Sequence, residues 1–449
     1  MSSRTSVLFL LLAAGAPAAG QAPAPGIDGI LAAHWKGAGI APAPLVGDAE
    51  FLRRLSLDLA GRIPSKAELE AFLRKPDRAA KIDELLASPE FPRFWSEVWT
   101  AWLNGYAAAF DSNREGLRFW LEKEIREGAP WDRIVSRLVS ASGVSNVDGS
   151  VNFILHNGVD PAIKVSRAFL GIRLDCAKCH DHPFDRWTQK HFEEMSRFFA
   201  TIRRENLTGS VRVSDASDRA GGPKPRFLTG SQPVTARWRE ELGYFITESR
   251  PFGRAFANRL WYHFMGRGIV DPPDDFSLRN KPSVPALLDF LAAEAETRAW
   301  DLRSMARLIC LSDAYRRSSA GAPRDPKAEA AFARRVLKPL LPEQVIDSLA
   351  VALDSDALRQ RRAAALRGLL GRSFGEDFSL TWRHRETVQD LMAKFALDLP
   401  APPSASTEDL YLRMLSRRPT ARERELLRGR PAAEVVSALA HSNEFYFGH

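Results

Sequence analysis

The segment Cys176-Ala-Lys-Cys179-His180-Asp-His182 gathers two of the chain's three cysteines and two of its nine histidines within seven positions. Cys-x-x-Cys-His is the spacing of covalent c-type haem attachment. Two thiols three residues apart in one helical turn reach the two vinyl groups of a single porphyrin, and the adjacent imidazole sits beneath the iron as its proximal ligand. By composition alone the pattern arises roughly 3 times in 10,000. Cys176 and Cys179 are thus the candidate cofactor anchors and His180 the candidate proximal iron ligand. For the other side of the iron the candidates are Met195 and His191. A methionine ligand would raise the potential, although Met195, set between Phe192 and Phe199, equally suits an apolar core. His182 stands two residues beyond His180, too close for the same turn to carry it to the opposite haem face, and with Asp185 it suits a loop-shaping role.

Two other chemistries use the same residues. Cys176, Cys179, His180 and His182 could bind zinc, but structural zinc sites draw two of their ligands from a distant segment. Cys176 and Cys179 could instead form a disulfide, although no β-α-β pattern precedes them as in redox Cys-x-x-Cys proteins. A separate acidic stretch, Asp271-Pro-Pro-Asp274-Asp275, lies near His263 in the sequence. Asp274 and Asp275 as a carboxylate pair would serve divalent-cation binding or the hydrolysis of, for example, a glycan. Adjacent carboxylates point different ways, however, and Asp-Pro turns use such residues to cap backbone. His384 and Glu386 form a similar weak pair. No nucleophile elbow, P-loop or dinucleotide fingerprint is present.

The first twenty residues supply a setting for haem chemistry. Arg4, the apolar run from Val7 to Ala14 and small residues around Ala16 to Gly20 form the pattern of a secretory signal peptide over 1–20. The run is shorter than the roughly 20 residues that span a bilayer, so the expectation is a periplasmic or secreted protein with no transmembrane helix after cleavage. Haem c is attached on that side of the membrane. The net charge of +8 would suit an acidic partner, but the arginines alternate with carboxylates, as in Arg53, Arg54 and Asp58. That mixture reads as solvated helix faces rather than a nucleic-acid stripe. A redox or structural protein partner in the exported compartment is expected, and no nucleic acid. Cys310, within Met305-Ala-Arg-Leu-Ile-Cys-Leu, reads as a buried small hydrophobe.

The elements that must position the cluster are mostly helices. Residues 21–47, rich in Ala, Pro and Gly, read as a flexible lead-in. Phe51, Leu52, Leu55 and Leu59 then recur at helical spacing up to Gly61, and Ser65-Lys-Ala-Glu68 is a capping box for a helix with Leu69, Phe72 and Leu73 inward. Ser88-Pro89 opens a helix whose Trp95, Val98, Trp99 and Trp102 form an aromatic core stripe. Two more amphipathic faces follow, Leu117 to Ile125 before Gly128 and Ile134 to Val139. The spacing predicts a helix over 161–174 ahead of the cysteines and another from Thr188, with Phe192, Met195 and Phe199 on one face. Between about 203 and 235 Asp, Ser, Gly and Pro accumulate and only Val211 and Val213 hint at a strand. Asp301 and Thr420-Ala-Arg-Glu423 cap later helices, and 400–406 reads as a connector. The expected fold is mostly α: a helical domain over 48–202, a long irregular loop over 203–240, a second helical domain over 241–449, and little or no sheet.

Several of these stretches also resemble a known family. Phe169-Leu-Gly-Ile-Arg followed by CAKCHDHPFDRWTQ is similar to the central motif of the planctomycete cytochrome-c-like domain, a family of exported bacterial proteins of unknown function. FLRRLSLDLAGRIPSKAELEAFL (51–73) and LLASPEFPRFW (85–95) look like the same family's earlier blocks. RPFGRAFANRLWYHFMGRGIVDPPDDF (250–276), WDLRSMARLICLSDAYRRSS and HSNEFYFGH resemble blocks of its usual companion domain, also of unknown function. The resemblance covers roughly 48–449 and implies haem c at Cys176 and Cys179 with His180 axial. It implies no reaction. A second Cys-x-x-Cys-His, found in larger relatives, is absent here, which argues against a multi-haem relay within this polypeptide.

Overall fold

The computed structural model describes residues 26–106, 111–158, 160–216, 223–320, 325–362, 366 and 405–448. The signal-peptide stretch, His384, Glu386 and most of the 400–406 connector lie outside them. The lead-in is not all loop: Ile27, Leu31 and Trp35 share one buried face of α1 (Ile27–Ala38). The Trp35 indole donates to the Ala331 carbonyl at 2.7 Å, tying this helix to the far end of the first core.

Next come α2 (Asp48–Ala60), α3 (Lys66–Arg74), α4 (Arg78–Ala87) and α5 (Glu90–Asn104). Gly61 closes α2 with a φ of 73°, and the Ser65/Glu68 capping box forms as expected. Leu69 and Phe72 are buried, whereas Leu73 is exposed. Pro89, rather than Ser88, takes the N-cap of α5, because the Ser88 hydroxyl donates back to Leu85 at the end of α4. The aromatic stripe of α5 is core throughout. Trp99 stacks on Trp131 with centroids 3.6 Å apart, at the start of α7 (Trp131–Val139), which follows α6 (Arg114–Arg126). After α8 (Val151–His156), α9 (Pro161–Val165) continues as a π-helical turn over Ser166–Leu170. Gly171, at φ 68°, stops it short of the expected Leu174. The helix from Thr188 is α10 (Gln189–Ser196).

The stretch expected as irregular loop holds an antiparallel hairpin. Its strands are β2 (Ile202–Leu207) and β3 (Ser210–Asp215), and β1 (Gly143–Val144) pairs along the other edge of β3. Val211 and Val213 alternate inward on β3, and Gly209 at φ 73° makes the tight turn. The remaining helices are α11 (Trp238–Thr247), α12 (Arg250–Met265), α13 (Pro285–Thr297), α14 (Leu302–Leu311), α15 (Pro326–Ala330), α16 (Pro342–Ala352), α17 (Thr407–Leu415), α18 (Ala421–Leu426), α19 (Ala432–Ala440) and α20 (Asn443–Tyr446). β4 (Lys338–Pro339) pairs antiparallel with β5 (Phe447–Gly448). The fold is mostly α, with one small three-stranded sheet.

The cores do not divide at residues 203–240. One hydrophobic cluster runs from Ile27 to Ala333, and a second joins Leu349, Leu410, Tyr411, Val436 and Phe445 to Leu57 and Ile63 of the N-terminal part. Apolar packing crosses that segment because α12 turns its apolar side onto the aromatics of the first half: Phe256 stacks on Trp99 and Trp131 at 6.3 and 6.0 Å. Nor are the charges of α2 solvated. Arg53, Arg54 and Asp58 are each at most 2% exposed. Asp58 accepts from Tyr315 Oη at 2.8 Å, Arg335 Nη2 at 3.2 Å and Lys338 Nζ at 2.5 Å. Arg54 donates to the Tyr315 and Arg317 carbonyls, and Arg53 to those of Met414 and Phe445.

Two expected outcomes follow from this packing. A Cβ at Gly171 would lie 2.3 Å from the Phe276 ring at a φ of 68°, so Gly171→Ala should cost roughly 2–4 kcal/mol in chemical denaturation. At the α5–α16 contact, burial raises the Glu97 carboxyl to about 7, with Glu343 and Asp347 adding to it and Arg362 opposing. Its folded pKa exceeds its unfolded one, so protonation favours the fold. Stability should therefore decline as pH rises from the ordinary carboxylate range through about 7. Melting curves of Glu97→Gln should show a smaller decline over that window.

Candidate haem attachment site

The approach to the cysteines is set by burial on either side of them. Leu174 and Ala177 are fully buried, and Ala177 pins the short 3₁₀ turn Cys176–Lys178 to the core. Cys179 N and His180 N both donate to the Cys176 carbonyl, at 3.4 and 3.3 Å. The buried alanine faces inward, while Cys176, Cys179 and His180 are all exposed. Downstream, His182 N donates to Trp187 O at 2.7 Å, His182 Nδ1 accepts from Phe184 N, and Asp185 accepts from Arg186 N. His182 and Asp185 shape the loop that returns through buried Trp187 to α10. Asp181 receives Gln189 N at the start of that helix.

The donor set fits a c-type haem. Both thiols are free and reachable from solvent. His180 Nδ1 lies 2.9 Å from the Asp181 carbonyl. A carbonyl only accepts, so Nδ1 carries the proton and the Nε2 lone pair is left for a metal. The two side chains suggested for the other side of the iron have other positions. Met195 is fully enclosed in the core. His191 Nδ1 accepts from Thr188 N at 3.0 Å, closing the first turn of α10, and its ring meets Trp187 edge-on. For zinc, no three His, Cys, Asp or Glu side chains converge among the described residues. A cavity of about 420 Å³ opens beside the turn, lined by Asp160, Pro161, Phe199, Ile202 and Arg204. Lys178, inside the motif, reaches its rim by pairing with Asp160 at 2.8 Å.

The acidic stretch reaches this site by a route the sequence did not signal. Asp274 is wholly buried, and its two oxygens are taken by Arg167, within the π-helical turn, and by Arg173 Nη2 at 3.0 Å, just beyond it. Burial alone would raise its pKa, but Arg167, Arg173 and Arg259 together hold the carboxyl below its usual range. Asp275 sits 3.8 Å from Arg173 Nη1. The Gly171 carbonyl accepts Phe276 N at 2.9 Å alongside. Asp274 is thus an anion at neutral pH that tethers the segment leading into Cys176, and its oxygens are spent on arginines rather than paired with Asp275 across a cleft. His263 does not join Asp274 or Asp275 but lines a separate cavity with Asp271: burial first, then Lys338, lowers it to about 3, and its Nε2 donates to the Asp58 carbonyl. The Arg-x₅-Arg spacing of Arg167 and Arg173 was the available clue, but arginines on an amphipathic helix ordinarily face water.

Residues 26–204 match the PSCyt2 family model, a protein of unknown function (DUF1549), and residues 239–363 match PSD1, a protein of unknown function (DUF1553). The chain carries these two domains, in that order. No curated protein and no solved structure matches it. The Cys-x-x-Cys-His turn lies in the PSCyt2 part, and its tether Asp274 belongs to the PSD1 part. Asp274→Asn keeps the shape but removes the charge that two guanidinium groups require, and should destabilise the protein by roughly 3 kcal/mol. A carboxylate with a lowered folded pKa contributes in full above its unfolded pKa. The difference between the two proteins in urea titrations should therefore hold at neutral pH and fade as pH falls below the ordinary carboxylate range.

Proposed function

We propose that this PSCyt2–PSD1 protein is an exported carrier of one c-type haem, bound through thioethers at Cys176 and Cys179 with His180 as proximal ligand, that exchanges electrons with or otherwise supports a protein redox partner. The observation that carries the reading is the exposed pair of thiols followed by an imidazole whose Nδ1 is already committed to a backbone carbonyl. That hydrogen bond orients the ring and makes Nε2 a better donor to iron. When bound, the haem would supply one-electron iron chemistry. The pinned Ala177 and the Arg–Asp274 tether hold the turn still while leaving both sulfurs accessible for attachment. The signal-like N-terminus supports the exported compartment in which such attachment occurs. No helix among the described residues is long and apolar enough to cross a membrane.

Co-expression with a cytochrome c maturation system, followed by a pyridine haemochrome assay on the denatured protein, should give one covalent haem per chain. The Cys176→Ala/Cys179→Ala protein should give none while melting near the parent apo-protein, since both side chains are exposed. Absence of covalent haem in the parent protein overturns the reading, and stoichiometric zinc in its place would assign the cluster to zinc.

A further inference from the structure

A second cavity, of about 230 Å³, lies where α5, the end of α12 and the segment 336–344 meet. We propose that it binds a neutral polyhydroxylated ligand of monosaccharide size. The assignment rests on the charge balance and hydrogen-bonding character of its walls. Two cationic side chains line it, Arg267 and Lys338, and two anionic ones, Asp271 and Glu329. The four charges sum to zero, so a ligand of net charge, cationic or anionic, sheds its hydration with no net opposite charge in the wall to offset the cost. An uncharged ligand meets neither penalty.

Its groups would have to donate and accept at once. Lys338 Nζ gives two of its hydrogens to Asp58 and the His263 carbonyl, leaving the third. Because His263 Nε2 donates to Asp58 O, its Nδ1 is an acceptor, and with a pKa of about 3 the ring stays neutral. Neither this Nδ1 nor the Tyr262 hydroxyl has a hydrogen-bond partner among the described residues, and neither is a sealed-off orphan, so both remain open to a ligand. Arg267 has no hydrogen bond there either; its Nε is shielded from solvent and lies 3.8 Å from Asp271. The wall therefore offers both donors and acceptors, which suits alcohol hydroxyls, each of which does both. Gln344 is not among these groups, since its amide is spent on Leu341 N and Leu57 O. Trp102, Leu337 and Leu341 supply apolar surface for the C–H faces of a ring. The volume is below the roughly 300–1,000 Å³ of drug-sized sites, which limits the ligand to about one sugar ring. The Asp58 network behind Lys338 keeps the ammonium aimed from a rigid floor.

Saturation-transfer NMR and titration calorimetry on the full chain test this, with D-glucose, D-galactose and L-fucose as neutral probes and D-glucuronate and D-glucosamine as charged ones. At least one neutral sugar should bind more tightly than either charged analogue. Tyr262→Phe, which removes a single hydroxyl, should weaken it about fivefold, and Leu337→Trp, which fills the cavity, should abolish it, with melting temperatures checking that each variant folds. Should Leu337→Trp fail to fold, Tyr262→Phe carries the comparison alone. No transfer to any neutral sugar in the tens-of-millimolar range, binding unchanged in the folded variants, or tighter binding of a charged analogue overturns the proposal. None of these outcomes depends on haem attachment.

Discussion

A single buried carboxylate, Asp58, organises the junction on which the rest of the molecule rests. Burial opposes its charge, yet Lys338 and Arg335 more than offset that cost and hold it below the usual carboxylate range. An isolated buried anion would be strongly destabilising, so α2 can occupy the middle of the protein only with the segment around 315–338 wrapped against it. The dependence is mutual. Arg335 and Tyr315 are buried too, Lys338 is mostly so, and each needs the acceptor. The ion cluster therefore specifies which segments of the two family domains meet, while the aromatic stacking of Trp99, Trp131 and Phe256 supplies apolar burial along the same seam.

The arginines beside Asp58 extend this logic in both directions. Arg54 uses backbone carbonyls near Tyr315, and Arg53 reaches those of Met414 and Phe445 in the second hydrophobic cluster. Planar guanidinium groups suit the task because each satisfies several carbonyls while staying charged. The same device recurs at the candidate haem turn, where Arg167 and Arg173 meet Asp274. Structure and chemistry are separated there. The residues that fix the turn in place are buried or ion-paired, and those that would bond a cofactor face outward.

Much of the local structure was legible in the sequence because its causes are local. The capping boxes at Ser65 and Thr420, the Asp301 cap, the stop at Gly61 and the α5 aromatic stripe each depend on residues within about two turns. The candidate site was legible to the same extent: Cys176, Cys179 and His180 from spacing, and the loop-shaping roles of His182 and Asp185 from their crowding. The hairpin at 202–215 was only half visible. Val211 and Val213 mark its inner strand, but β2 is largely exposed and carries little alternating pattern.

What the sequence determined by itself was several of the helices with their caps and the spacing of the donor groups at the Cys-x-x-Cys-His turn, because helix periodicity, caps and ligand spacing are written over a few neighbouring residues. Only the tertiary structure decided that α2's charges are interior, that the first core runs through both family domains to Ala333, and that Asp274 serves as a tether. The physical reason is that Arg and Asp carry no periodic mark of burial. Whether such a charge lies in water or in the core is set by a partner hundreds of residues away, 277 positions between Asp58 and Arg335, and that partner is found only when the chain folds.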